Sequence, residues 1–256
     1  MSKRDWWNKE FRVMSAFGDS ITAGGWSSTR ERRWANLLTD MINERQRFPV
    51  QQVNMGIGGN VISPLCPGYF CSHQPSAIER VERDVLKYAA NGVHLPPDLL
   101  IIAFGINDIR SGATKELICQ EMVKMLEIIR GQIQPLIVLV GPTYMNGFEK
   151  WGEEFAYANL NLLYELNEAL RTLAQEQDCL FADVLNAFGE ADWLVHDDGV
   201  HPNDAGHQVI ANKILEVLLA NCSGLSMETK VVEAQMTRWR DEAVLDVRTD
   251  GWPYTI

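Results

Sequence analysis

The chain has 256 residues, 46 % of them hydrophobic and 22 % charged, with 23 Lys+Arg against 34 Asp+Glu for a net charge of −11. This composition excludes disordered, collagenous and low-complexity classes, and a chain of this length buries roughly 70–75 % of its unfolded surface, enough for a large core. The acidic balance argues against nucleic acid or an anionic membrane as partner, and no apolar run reaches the roughly 18 residues of a membrane helix.

In chain order, Met1–Glu10 lacks the apolar centre of a signal peptide, which predicts a cytoplasmic protein. Arg12–Phe17 then reads as a strand and runs into Gly18-Asp19-Ser20. Trp34, Leu37, Leu38, Met41 and Ile42 recur at helical spacing. Val50–Met55 reads as a second strand, followed by the glycine turn Gly56-Ile57-Gly58-Gly59-Asn60. Cys66 and Cys71 flank a Pro-Gly-Tyr-Phe turn and can bridge if oxidised, while Cys119, Cys179 and Cys222 read as buried thiols. Ser76–Asn91 is predicted helical. Leu99–Phe104 is a third strand, followed by Gly105-Ile106-Asn107-Asp108 and a helix striped by Ile118, Met122, Met125 and Ile129.

Leu136–Val140 is a fourth strand, and a helix carrying Leu163, Leu166, Leu170 and Leu173 leads to a fifth, Cys179–Ala182. His196-Asp197-Asp198-Gly199-Val200-His201 precedes a last helix with Asn203 as its N-cap and Ile210, Ile214, Val217 and Leu218 as its stripe. Beyond it, Val232, Met236, Trp239 and Ala243 suggest an amphipathic helix and Ala243–Val247 a short strand. Strand–helix alternation with nearly continuously apolar strands predicts one three-layer α/β domain over residues 1–222. Its core would be a five-stranded, parallel, doubly wound sheet of flavodoxin-like type. Residues 223–256 would be a C-terminal extension packed on the domain or on a partner chain, a route to a homo-oligomer.

In such a sheet, ligands bind beyond the carboxyl ends of the strands, so function belongs to the residues that follow each strand. The Gly-Asp-Ser turn suits a serine presented at a helix head, and equally a structural turn or a phosphate loop. The glycines around Gly59 let backbone N–H groups approach an anion, or simply make a tight turn. The Asn107 amide can donate to an oxyanion, or cap a turn. Asp198, three residues before His201, can accept from its Nδ1–H and leave Nε2 free for a serine proton.

Taken together, these four blocks resemble the SGNH, or GDSL, hydrolase superfamily in their residues, order and spacing, over about residues 11–220. The resemblance implies Ser20 as nucleophile, His201 as general base and Asp198 as its orienter. It also implies an oxyanion hole of the Ser20 and Gly59 N–H groups with the Asn107 side chain, and a small-molecule ester as substrate. Asp19 and Asp108 are expected to tie loops together, and His73 and His94 to face solvent. Asn60 stands where relatives carry Asp or Ser. No Gly-x-Ser-x-Gly elbow surrounds Ser20.

The loop aromatics Trp26, Tyr69 and Tyr144, with Asn60, are expected to line the substrate pocket, and Phe70, Met145, Phe148 and Trp151 to stand on the same long loops. Such a lining suits a short acyl chain or an acetylated sugar. No cofactor or metal is expected. The crowding of His196, Asp197, His201 and His207 keeps a metal-dependent hydrolase open as a rival, and a non-catalytic phosphate-binding module is a second rival.

Overall fold

The computed structural model describes residues 3–227 and 230–231. The strands are β1 (Val13–Gly18), β2 (Gln51–Gly56), β3 (Ala89–Ala90), β4 (Val93–His94), β5 (Leu99–Ala103), β6 (Leu136–Val140) and β7 (Leu180–Ala182). Five of them form a parallel sheet in the order β2-β1-β5-β6-β7. The residues of β6 are buried throughout and those of β1 nearly so, because helices cover both faces. The helices are α1 (Ser20–Ala23), α2 (Trp34–Asn43), α3 (Ala77–Val81), α4 (Ile106–Arg110), α5 (Lys115–Arg130), α6 (Leu160–Glu176), α7 (Val184–Phe188) and α8 (Asp204–Asn221).

The chain leaves β1 for β2 on one side, then crosses back over β1 to reach β5. Right-handed crossovers therefore place α2 on one face and α3, α5 and α6 on the other, and α8 returns to pack beside α2. The apolar stripes explain the packing: Ile118, Met122, Met125 and Ile129 of α5 and Leu163, Leu166, Leu170 and Leu173 of α6 are all buried. Side-chain acceptors start these helices, with Thr114 capping the N–H of Leu117, Asn159 that of Leu162, and Asn203 those of Ala205 and Gly206.

Register sets up the site. Gly18 at the end of β1 lies level with Gly56 of β2 and Ala103 of β5, so the turns after these three strands emerge side by side at the switch point. They are packed tightly: a Cβ on Gly56 would lie 2.1 Å from the backbone nitrogen of Ala23.

The structure differs from the sequence-based expectation at several points. Four strands start or end one residue away from the predicted bounds, and β6 coincides with them. The predicted helix Ser76–Asn91 is shorter. It runs as α3 and then a π-helical turn, Glu82–Leu86, before β3 and β4 pair as an antiparallel hairpin. Asn91 and Gly92 form its turn with φ of 52° and 76°, the left-handed pair that tight hairpins require. Cys66 and Cys71 are unbridged; Cys66 is buried and donates its thiol to Asp108 Oδ1 at 3.0 Å, while Cys71 is exposed.

Of the C-terminal extension, Ser223–Ser226 makes one 3-10 turn against the N-terminal segment. Gly224 N–H donates to the Trp7 carbonyl at 3.1 Å and Ser223 N–H to Asp5 at 3.0 Å. The helix expected around Val232, Met236, Trp239 and Ala243, and the strand Ala243–Val247, lie outside the described residues. Among those described, no helix is long and apolar enough to cross a membrane.

Candidate active site

Asp19 caps α1, its Oδ1 accepting from the N–H of Ile21 at 2.9 Å, and this places Ser20 as the first residue of the helix. From the opposite side of the switch point comes the loop before α8. It is closed by a pair between Val195 and Pro202, and the His196 N–H donates to the His201 carbonyl at 2.8 Å. The loop holds the His201 ring with Nε2 2.8 Å from Ser20 Oγ. Nδ1 of the same ring bonds Asp198 Oδ2, while Asp198 Oδ1 accepts from the N–H groups of Val200 and His201, each at 3.0 Å. The partial burial of Asp198 acts to raise its pKa, but these hydrogen bonds outweigh it and hold the carboxyl below the ordinary value. With the carboxylate fixing Nδ1–H, Nε2 is left as an acceptor for the serine hydroxyl.

The other two turns complete the arrangement. Gly59 has φ of 65°, and its neighbour Gly58 is so close to the Ser20 turn that a Cβ there would lie 3.9 Å from Ser20 Cβ. His73, exposed as expected, donates from Nδ1 to the Gly58 carbonyl and steadies this turn. Asn107, buried on α4, donates one amide hydrogen to the Asn60 carbonyl at 3.1 Å, which ties it to the turn carrying Gly59. Asp108 is fully buried and accepts from the Ile62 N–H at 2.7 Å as well as from Cys66, tying α4 to the glycine-turn loop.

A group that the sequence did not reveal links these parts. Arg80 of α3 is buried, and its guanidinium donates to the Gly18 carbonyl (2.8 Å), the Met55 carbonyl (2.9 Å) and Asn60 Oδ1 (2.9 Å). It also pairs with Asp84 at 2.8 Å and lies 4.4 Å from the Phe17 ring centroid. One cation thus joins the ends of β1 and β2 to the residue after Gly59. Apart from its spacing to Asp84, nothing in a single sequence separates such an arginine from a solvated one on a charged helix.

The expected pocket residues divide. Trp26 stands 47 % exposed, its ring 5.3 Å from that of His201. Asn60 is fully buried, donating to the carbonyls of His73 and Pro75, so it links loops rather than lining a pocket. Tyr144 is buried with its hydroxyl on Asp192 at 3.0 Å, and the Tyr69 hydroxyl is taken by Glu79, so neither presents a free polar end to a ligand. Trp151, grouped in the sequence only with the other loop aromatics, comes to 6.2 Å from the His201 ring and is 52 % exposed. Trp26 and Trp151 have φ of 63° and 81°, a left-handed backbone that costs a bulky residue roughly 1–2 kcal/mol.

The histidine cluster does not become a ligand set. His207 is buried, donating from Nε2 to the Gly25 carbonyl at 3.2 Å and accepting at Nδ1 from the Trp34 N–H at 3.4 Å; burial pushes its pKa down to about 4. His196 is exposed, and among the described residues no group of three His, Cys, Asp or Glu side chains gathers as a metal site would require.

Asp19 is a buried carboxyl whose titration is carried close to neutrality. Burial raises its pKa from 3.8 to about 7; the Ile21 N–H opposes the rise and the Asp108 charge adds to it. The stability given by its neutral form is present below the unfolded value and is lost as pH climbs through about 7. His207 has the opposite trend, its contribution being lost as pH falls from 6.5 towards about 4. Asp19→Asn keeps an acceptor for Ile21 and removes only the first trend. Denaturant midpoints should therefore show the variant gaining on the wild type between about pH 5 and about pH 8; a constant difference would contradict the burial argument.

The sequence model of the GDSL-like lipase/acylhydrolase family matches residues 16–209. No curated protein sequence matches the chain. Similar solved structures include the lipase/acylhydrolase from Enterococcus faecalis (20 % identity, TM-score 0.63, covering 82 % of this chain and 96 % of the other). A catalytic mutant of an acetylxylan esterase from Geobacillus stearothermophilus is also similar (20 %, TM-score 0.59, 82 % and 95 %). So is a carbohydrate acetylesterase family member from Sinorhizobium meliloti (16 %, TM-score 0.61, 82 % and 98 %). At these identities the likeness to solved structures is one of fold.

Proposed function

The chain belongs to the GDSL-like lipase/acylhydrolase family, and from that premise we propose that it is a serine esterase cleaving short-chain acyl esters through an acyl-enzyme. The observation that carries this reading is the continuous chain Ser20 Oγ, His201 Nε2, His201 Nδ1, Asp198, with the Gly58-Gly59 turn close to the serine and Asn107 bonded to that turn's Asn60. A serine hydroxyl is a poor nucleophile until a base within hydrogen-bond reach removes its proton.

In the first step, Ser20 Oγ bonds to the ester carbonyl carbon as its proton passes to His201 Nε2. The carbonyl π-electrons move onto oxygen, which the N–H groups of Ser20 and Gly59 and the Asn107 amide would receive. The intermediate collapses, the C–O bond to the alcohol breaks, and His201 returns the proton to the leaving oxygen. Water then repeats the sequence on the acyl-enzyme, releasing the carboxylic acid and restoring Ser20.

Two features support a small acyl group. Gly58 stands close behind Ser20, where a Cβ would lie 3.9 Å from Ser20 Cβ, and leaves little room on that side. The fold is also shared with proteins described as acetylesterases. Initial rates on p-nitrophenyl acetate, butyrate and octanoate should fall with chain length; rates rising to octanoate would contradict a short acyl site. Asn107→Ala should lower kcat by about 10²–10³ with a small change in KM, because the amide bonds the oxyanion more strongly than the ground-state carbonyl. An equal loss carried by KM would assign Asn107 to substrate binding instead.

A further inference from the structure

We propose that Arg80 is a positioning residue for ester cleavage: it sets the distance between Ser20 and the turn that carries Gly59. This rests on the serine-esterase reading and adds to it the group that holds the two halves of the site in register. Ser20 stands on the turn after β1 and Gly59 on the turn after β2. Acyl transfer needs both at once, because Oγ must reach the carbonyl carbon while the Gly59 N–H meets the oxygen. A misplacement of about 1 Å between such groups costs about 10²-fold in rate.

The guanidinium is built into both turns. Nη2 donates to the Gly18 carbonyl at 2.8 Å, in the peptide that leads into Asp19, the cap of the helix that begins with Ser20. Nε donates to Asn60 Oδ1 at 2.9 Å, and Nη1 to the Met55 carbonyl at 2.9 Å and to Asp84 Oδ2 at 2.8 Å. Four of the five N–H hydrogens of a rigid, planar fork are thus committed. Asn60 passes the constraint on. Its carbonyl accepts from Asn107 at 3.1 Å, and its side-chain amide donates to the carbonyls of His73 and Pro75 at 2.7 and 2.9 Å. Through Asn60, Arg80 therefore acts on Gly59, the adjacent residue, and on Asn107.

Fold stability alone does not call for a cation here. The Arg80 side chain is fully buried, 4.4 Å from the Phe17 ring centroid and 5.7 Å from that of Phe104. A buried ion pair can often be exchanged for apolar side chains of similar volume without loss of stability. An apolar side chain would pack against these rings, but it could not donate to acceptors on separate segments. Lysine offers a compact point charge in place of the fork. The Ile57 N–H also donates to the Gly18 carbonyl, at 3.1 Å, and fixes the start of the glycine turn. Arg80 fixes its end, at Asn60.

The test uses Arg80→Lys, Asn60→Ala, their combination, and Arg80→Met with Asp84→Leu, which removes the whole ion pair. On p-nitrophenyl acetate, kcat should fall about 10²-fold in the pair variant and about tenfold in Arg80→Lys, with KM within about twofold. A short-chain trifluoromethyl ketone, whose adduct on Ser20 carries an oxyanion, should lose affinity by the same factor as kcat/KM. Asn60→Ala should resemble Arg80→Lys, and the combination should be little worse than either, because both cut one link. Circular dichroism and melting curves show which variants fold; should the pair variant not fold, the two single variants carry the test. Unchanged kcat in the folded variants overturns the proposal. So does a loss carried by KM, or losses that multiply in the combination. A wild type that hydrolyses no ester and takes no fluorophosphonate adduct removes the esterase reading. Crystal structures then decide the role of Arg80: a Ser20-to-Gly59 Cα separation altered by about 1 Å in Arg80→Lys supports it, and superimposable turns overturn it.

Discussion

Replacing Ser20 or His201 by alanine should lower kcat on a short-chain ester by about 10⁶-fold, and the double variant should be little worse than either single one. The non-additivity is the informative part. Ser20 Oγ and His201 Nε2 are 2.8 Å apart and act on one proton, so removing either abolishes the same event. A residue that merely shaped the site would add its cost to the other. Some acceleration over water should survive, because the Gly59 turn and Asn107 remain in place to receive the carbonyl oxygen. Pre-steady-state and steady-state rates of the three variants check this, with circular dichroism to show that the fold is kept. Losses that multiply in the double variant would mean the two residues act separately.

The second large effect is expected at Asp198. Asp198→Asn should cost about 10⁴ in kcat while leaving the fold intact. Its Oδ1 accepts from the N–H groups of Val200 and His201 at 3.0 Å each, and an asparagine oxygen can keep both bonds. The other oxygen becomes an NH₂ facing His201 Nδ1, which then must accept. The imidazole proton moves to Nε2, and the ring points a donor where Ser20 requires an acceptor. A loss below about tenfold, with the same melting temperature, would show that Asp198 supports the loop through the backbone bonds alone.

Much of the architecture was legible because its signals are local. The strand Leu136–Val140 is an uninterrupted apolar run, and Asn203 sits directly before an apolar stripe. The turns after β1, β2 and β5 could be named as neighbours because a doubly wound sheet aligns its carboxyl ends. What was not legible depends on side-chain direction and long-range packing. Tyr144 and Asn60 are polar residues on loops facing the expected crevice, yet both turn inward to partners distant in sequence, Asp192 for one and Arg80 for the other. Arg80 has the same character: its role lies in reaching carbonyls on two strands that the sequence does not place beside α3. The hairpin of β3 and β4 did carry a signal. Asn91-Gly92 marks a tight turn, but the periodicity upstream masked it.

Ser20 as nucleophile is open to direct chemical labelling. Wild type and Ser20→Ala should each be treated with a fluorophosphonate and mapped by peptide mass spectrometry. A single adduct on the Ser20 peptide is expected, with loss of ester hydrolysis in proportion to labelling and no adduct in Ser20→Ala. Labelling of a different residue, or full ester turnover by Ser20→Ala, would contradict it.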